Sequence, residues 1–170
     1  MMDVRPERAG DEAGIRAVHL AAFPSALEAD LVDRLRDAGR AAVSLVAETD
    51  TGIVGHVLFS PVTIAGDGVP GKGLGLAPLA VSPGLAGRGI GSALARRGIA
   101  ACRDAGFAFA VVLGAPEYYA RFGFEKASLY GLGNEYAADE AFLVIELAQG
   151  ALERARGVII YSPEFGVFTT

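Results

Sequence analysis

In the stretch Leu79-Ala-Val-Ser-Pro-Gly-Leu-Ala-Gly-Arg-Gly-Ile-Gly-Ser-Ala-Leu94, a β-type run from Leu79 to Val81 stops at Ser82-Pro83 and turns through Gly84 and Gly87. It then passes into a helical pattern that begins near Gly89. The first N–H groups of a helix have no intrahelical partners, and the macrodipole places partial positive charge there, so a helix start of this kind is an anion site. Gly87, Gly89 and Gly91 remove the Cβ atoms that would hold a phosphate off the backbone, and Arg88 adds a formal positive charge. A pyrophosphate fits such a turn.

Two other glycine loops fail on spacing. A dinucleotide fingerprint G-x-G-x-x-G started at Gly87 meets Ser92 at its third glycine, and started at Gly89 it meets Leu94. The segment Gly66-Asp-Gly-Val-Pro-Gly71-Lys72 resembles a nucleotide-triphosphate loop until position 73, which is Gly where a Ser or Thr must hold magnesium. It also leads into a strand-like run, and reads as a hairpin turn.

Leu79-Ala-Val followed by Gly87-Arg-Gly-Ile-Gly-Ser-Ala-Leu resembles the acetyl-CoA-binding segment of the GNAT superfamily of N-acetyltransferases. That pattern is Gln or Arg, two residues, Gly, one residue, then Gly or Ala. Gly89 and Gly91 match, and the leading position falls on Ala86, a departure. Tyr118-Tyr119-Ala-Arg-Phe-Gly123-Phe124 resembles a second family signature, with Tyr119 at the matching position. Gly52-Ile-Val-Gly-His-Val-Leu-Phe-Ser-Pro61 and Glu140-Ala-Phe-Leu-Val-Ile-Glu-Leu147 are similar to a small YhbS-like bacterial branch of predicted acetyltransferases.

The resemblance implies an α/β GNAT fold, a mixed central sheet with splayed parallel strands and helices on both faces. It implies acetyl-CoA as co-substrate, held by Leu79, Ala80, Val81, Ala86, Gly87, Arg88, Gly89, Ile90, Gly91, Ser92 and Tyr119, with no metal. It further implies direct acetyl transfer to a primary amine of a small molecule or peptide. A non-catalytic acyl-CoA sensor is the alternative, kept open by Ala86 and by the lack of an obvious base. A hydrolase has no Gly-x-Ser-x-Gly elbow to support it.

At 170 residues, 52% of them hydrophobic, the chain suits one domain spanning 1–170. Net charge of −5 and the absence of polybasic runs argue against a nucleic-acid partner. The charge-free stretches Thr51 to Gly66 and Gly73 to Gly87 fall short of the ~18 residues of a membrane helix, and the N-terminus has no apolar signal core. The expectation is a cytoplasmic protein with no membrane partner; a homodimer stays open. Cys102, the only cysteine, excludes an intrachain disulfide and reads as a buried mid-helix residue.

Asp11 is placed to cap a helix towards Phe23, with Ile15 and Val18 on one face. Ser25-Ala-Leu-Glu28 reads as a capping box opening a second helix, striped by Leu27, Leu31 and Leu35 and ended by Gly39. Strands are predicted over 43–48, 53–64, 74–81, 107–113, 141–147 and 157–161, with a polar loop from Tyr130 to Glu140 and a turn of helix over 149–154. Pro78 cannot donate to a ladder and marks a bulge or unpaired stretch of its strand. The acceptor loops are expected at Pro24 to Leu31 and Tyr130 to Glu140.

Acetyl transfer from a thioester needs a neutral amine, a stabilised oxyanion and a protonated or hydrogen-bonded leaving thiolate. A backbone N–H at Leu79, Ala80 or Val81 can meet the oxyanion. The family match makes Tyr119 the partner of the departing sulfur. Base candidates are Glu28, Glu117 and His56; Glu28 also completes the capping box, and His56 shares a strand face with Leu58 and Ser60. His19 reads as a solvated helix residue, and Arg96 and Arg97 as a solvated face or as partners of the adenosine phosphates.

Overall fold

The computed structural model describes residues 1–65, 72–153 and 155–168. The expected hairpin turn over 66–73 therefore lies mostly outside the described residues, as does Arg154. The chain divides into two compact units, Met1–Phe59 with Ala77–Gly98 and Pro163–Thr170, and Ser60–Leu76 with Ile99–Ser162. Each is described by itself.

In the first unit, β1 (Asp3–Pro6) pairs antiparallel with β2 (Val43–Thr49), which pairs antiparallel with the first part of β3 (Gly52–Ala65). Helices α1 (Glu12–Ala22) and α2 (Leu27–Asp37) turn Ile15, Val18, Leu31, Val32 and Leu35 into the core. The last part of β4 (Gly73–Val81) lies beside β3, with Ser82 N–H donating to Val54 O at 2.8 Å. Helix α3 (Ile90–Asp104) packs on the face of β3 that carries Gly55 and Phe59. A Cβ on Gly55 would stand 2.9 Å from Leu94 Cδ1 and 3.1 Å from Ile90 Cγ2, and one on Gly98 would collide with the Phe59 ring. Side chains alternate along a strand, so His56 faces the opposite side, towards α1.

In the second unit, β4 and β5 (Phe109–Leu113) are parallel, with pairs Gly73↔Phe109, Leu74↔Ala110 and Gly75↔Val111. That ladder ends at Gly75, although β4 runs on to Val81. Pro78 sits beyond the last pair, inside the strand, in keeping with a residue that has no N–H to give. β5 pairs antiparallel with β8 (Phe142–Glu146), and β8 with β6 (Glu125–Lys126). β9 (Gly157–Tyr161) pairs antiparallel with Val62–Ala65 of β3 and parallel with β7 (Leu132–Asn134). Cys102 is buried, and burial pushes its thiol up to about 12.

Several boundaries differ from expectation for local reasons. Asp11 makes no cap bond, because its carboxylate is taken by Arg5 at 2.8 and 3.0 Å and by the Arg8 N–H at 2.8 Å. Helix α2 starts later than the capping box requires: Asp30 N–H bonds Ala26 O at 2.8 Å, making Ala26 the N-cap, and Ser25 Oγ reaches only the Leu27 N–H at 3.3 Å. The loop 130–140 contains β7, whose short run Leu132-Gly-Asn134 has no alternation to betray it. Residues 149–153 form hydrogen-bonded turns and no helix. Among the described residues, no helix is long and apolar enough to cross a membrane.

Candidate active site

At the end of β4 the chain passes through a short 3-10 turn, Pro83–Leu85, and reaches the glycine segment. Gly87 has φ +79° and Gly89 φ +82°, left-handed conformations that L side chains rarely adopt. No atom lies within 4 Å of where a Cβ would stand on either residue. Gly89 is the N-cap of α3, its carbonyl accepting from Ala93 N–H at 3.0 Å. Ile90 and Gly91 are the first residues of the helix, whose opening N–H groups precede the i→i−4 ladder. Ala86, Gly87, Arg88 and Gly89 are exposed, Gly91 and Ser92 half-buried, and Ile90 anchors the helix in the core. The arrangement is an exposed glycine turn at a helix start, with Arg88 within it.

Tyr119 lies in the second unit on α4 (Pro116–Ala120), where the Gly-Phe signature has a mechanical explanation. Tyr119 O accepts from the N–H of Phe122 at 3.0 Å and of Phe124 at 3.4 Å, and Gly123 takes φ +103° to let the chain reverse. Phe124 is thereby buried against the edge of the Tyr119 ring, 5.7 Å between centroids. The other side of the ring covers Gly114, where a Cβ would collide with it. Burial, with a smaller contribution from Tyr118, pushes the Tyr119 phenol up to about 12, so it is a protonated donor at neutral pH. Tyr118 lies edge-on to it and beneath the Arg121 guanidinium, 4.6 Å from ring centre to Cζ.

The base candidates are rearranged. Glu117 is exposed on α4. Glu28 is half-buried at the second position of α2, freed from the capping role, and its Oε1 is buried with no partner among the described residues. His56 is fully buried with both ring nitrogens engaged: Nδ1 at 2.8 Å from His19 Nε2, and Nε2 at 2.8 Å from Ser44 Oγ. His19 is therefore no surface residue; it too is fully buried, stacked on Phe23 at 6.0 Å. Sequence reading missed this partnership, although Ile15, Val18 and His19 follow the i, i+3, i+4 spacing of a buried face. Arg96 and Arg97 are exposed on α3.

Desolvation lowers both histidines, His19 to about 4 and His56 well below its ordinary value, with Arg36 adding to the effect and Asp33 and Asp11 opposing it. A histidine whose folded pKa is depressed is protonated first in the unfolded chain, so stability falls as pH drops from about 6.5 towards 4, by at most ~1.4 kcal/mol per pH unit for each ring. Thermal melting across that window should show this loss, with a shallower slope in His19→Gln. An equal slope in that variant would place the acid sensitivity elsewhere.

A cavity of about 710 Å³ in the second unit is lined by Leu129, Glu146, Leu152, Glu153 and Arg156 among others; the segment 130–140 borders it through Tyr130 and Gly131, and no cofactor-binding or base candidate does. Among the described residues, no group of three or more His, Cys, Asp or Glu is placed to hold a metal ion.

The glycine-turn helix start and, separately, the Tyr-Gly-Phe corner are the two features the sequence resemblance singled out, and comparison with known proteins shows the class, an acyl-CoA-dependent acyltransferase. The model of the Acetyltransferase (GNAT) family matches residues 13–124, and the chain belongs to this family. The uncharacterized N-acetyltransferase YhbS of Escherichia coli strain K12 is 38% identical over 169 residues, covering 98% of this chain and 100% of its own length. The uncharacterized N-acetyltransferase YjhQ of the same strain is 42% identical over 120 residues, 69% of this chain and 66% of its own. The crystal structure of E. coli YhbS in complex with CoA has a TM-score of 0.91 at 37% identity, over 98% of this chain and 93% of that one. A GNAT acetyltransferase from Brucella melitensis in complex with acetyl-CoA has a TM-score of 0.78 at 36% identity, over 97% and 98%.

Proposed function

We propose that this enzyme binds acetyl-CoA at the glycine turn and transfers the acetyl group directly to a primary amine. The observation that carries the reading is the open glycine turn at Gly87 and Gly89 ahead of α3, following β4 in a chain whose relatives are solved with CoA and acetyl-CoA. Backbone N–H groups from Gly87 to Ser92, with Arg88, hold the pyrophosphate. Bound acetyl-CoA supplies an activated thioester carbonyl and a leaving thiolate. A backbone N–H at Leu79, Ala80 or Val81 stabilises the negative charge that develops on the carbonyl oxygen. Tyr119 donates a hydrogen bond to the departing sulfur. Acceptor contacts come from the segment 24–31, across the α1–α2 connection and the start of α2, and from the segment 130–140.

A lysine-like amine has pKa ~10.4, so its neutral form costs about 4–5 kcal/mol at pH 7. Acetyl-CoA hydrolysis without acceptor should therefore be slow, and an added primary amine should accelerate free-thiol release, more so as pH rises. A thiol-release rate that no amine changes between pH 7 and 9 would contradict transfer to an amine. Binding without turnover would favour the sensor reading that the Ala86 departure supports.

A further inference from the structure

The buried bond between the two histidines belongs to a longer chain with one direction. Arg36 Nε donates to Glu7 Oε2 at 2.7 Å and its Nη1 to Asp33 Oδ1 at 3.0 Å, which leaves Glu7 Oε1 to accept from elsewhere. Ser44 Oγ donates its single proton to Glu7 Oε1 at 2.5 Å. The Ser44 oxygen must then accept from His56, so His56 carries its proton on Nε2 and presents a bare Nδ1. That lone pair accepts from His19 Nε2 at 2.8 Å. His19, neutral, is left with a bare Nδ1 that is buried and has no partner among the described residues. Every donor points towards Glu7, whose side chain is 14% exposed, and the wire ends at His19 Nδ1, which has no partner among the described residues.

The wire shares the first unit with the strand end proposed to stabilise the oxyanion. His56 follows Val54 and Gly55 on β3, and those residues meet β4 at Ser82 N–H and Ala80 O. His19 lies in the last turn of α1, just before the α1–α2 connection assigned to the acceptor.

Resting on the acetyl-transfer reading, we propose that His19, His56, Ser44 and Glu7 form a proton relay that removes the proton released by the attacking amine, with His19 Nδ1 as its entrance and Glu7 as its exit. The proton reaches Nδ1 through water. His19 Nε2–H then passes to His56 Nδ1, His56 Nε2–H to Ser44 Oγ, and the Ser44 proton to the Glu7 carboxylate, which releases it to solvent. One proton enters and one leaves; both imidazoles exchange tautomer and neither becomes a lasting cation. Desolvation disfavours the charged form of both rings, and the concerted shift does not require one. A weak base suffices, because formation of the C–N bond consumes the nitrogen lone pair and makes its N–H far more acidic than a free ammonium. The groups that set the field along the wire are Asp33 and Arg36 on α2, Asp11 ahead of α1, and Glu7 itself.

The relay makes Ser44 a positioning and proton-passing residue, and a hydroxyl is all it needs there. Ser44→Ala should lower kcat at pH 7 at least about tenfold with KM changed much less, and the deficit should shrink at pH 9.5, where hydroxide replaces the relay. Ser44→Thr should restore kcat to within about threefold, which a packing role would not demand. Nitrogen-15 NMR of the histidine rings in the wild-type protein between pH 6.5 and 8.5 should show both protonated at Nε2 and bare at Nδ1. Wild-type turnover with an amine tests the acetyl-transfer reading by itself. If the wild type turns over and Ser44→Ala equals it at every pH, the relay is wrong while that reading stands. A proton on His19 Nδ1 in the ring spectra would overturn the relay whatever the turnover.

Discussion

Gly91→Glu is expected to weaken CoA binding at least tenfold, and Gly89→Val by a similar factor. A tenfold loss corresponds to about 1.4 kcal/mol, the scale of one lost charge-assisted phosphate contact. Gly91 is the second residue of α3, so a glutamate there brings its own carboxylate to the helix start and competes with the phosphate for the same N–H groups. Gly89 acts through the backbone. At φ +82° a β-branched residue is strained, and its side chain would occupy space that is open in the glycine. Relieving the strain would move the N-cap carbonyl and re-aim the N–H groups that follow. Calorimetry with CoA, alongside thermal melting to verify folding, measures both variants. Wild-type affinity in a folded Gly91→Glu protein would place the anion site elsewhere.

Tyr119→Phe should reduce turnover tenfold to a thousandfold while leaving acetyl-CoA affinity much less affected. The ring is held by Phe124, Tyr118 and the bare Gly114, so removal of the hydroxyl preserves the packing. With the phenol near 12 and a free thiol near ~8.5, complete proton transfer to the thiolate is uphill by about 5 kcal/mol. The hydroxyl therefore acts as a hydrogen-bond donor whose bond strengthens as charge gathers on sulfur, an interaction made more in the transition state than in the ground state. Tyr118→Phe should be nearly silent. Steady-state rates and binding constants of the two variants separate the roles: loss in Tyr118→Phe with full activity in Tyr119→Phe would shift the assignment by one residue.

What could be read from the residues was whatever depends on local spacing. The strand, glycine turn and helix start of 79–94 are written in adjacent positions, and the run Phe109–Leu113 is apolar enough to announce a buried parallel strand. Tyr119 carries its own explanation through Gly123 and Phe124. Where a long-range partner competes for a side chain, spacing misleads. Asp11 looks like a cap until Arg5, on the neighbouring strand, claims both carboxylate oxygens. Glu28 looks like half of a capping box until the helix is seen to begin at Leu27. His19 and His56 are 37 positions apart, and neither has a local reason to point at the other. Only the packing of α1 on the β2–β3 face brings them together, where Ser44 and His56 are diagonal neighbours across the ladder. The identity of an acceptor stays illegible, because no local spacing rule encodes the shape of a ligand.

The most direct test of the central claim is to follow acetyl-CoA with a panel of primary amines, polyamines, amino acids and peptides at pH 8.5, measuring free CoA and the mass of the acceptor together. At least one amine is expected to gain a single acetyl group in one-to-one proportion to the CoA released. Tight CoA binding with no acetylated product from any amine, or CoA release matched only by free acetate, would contradict it.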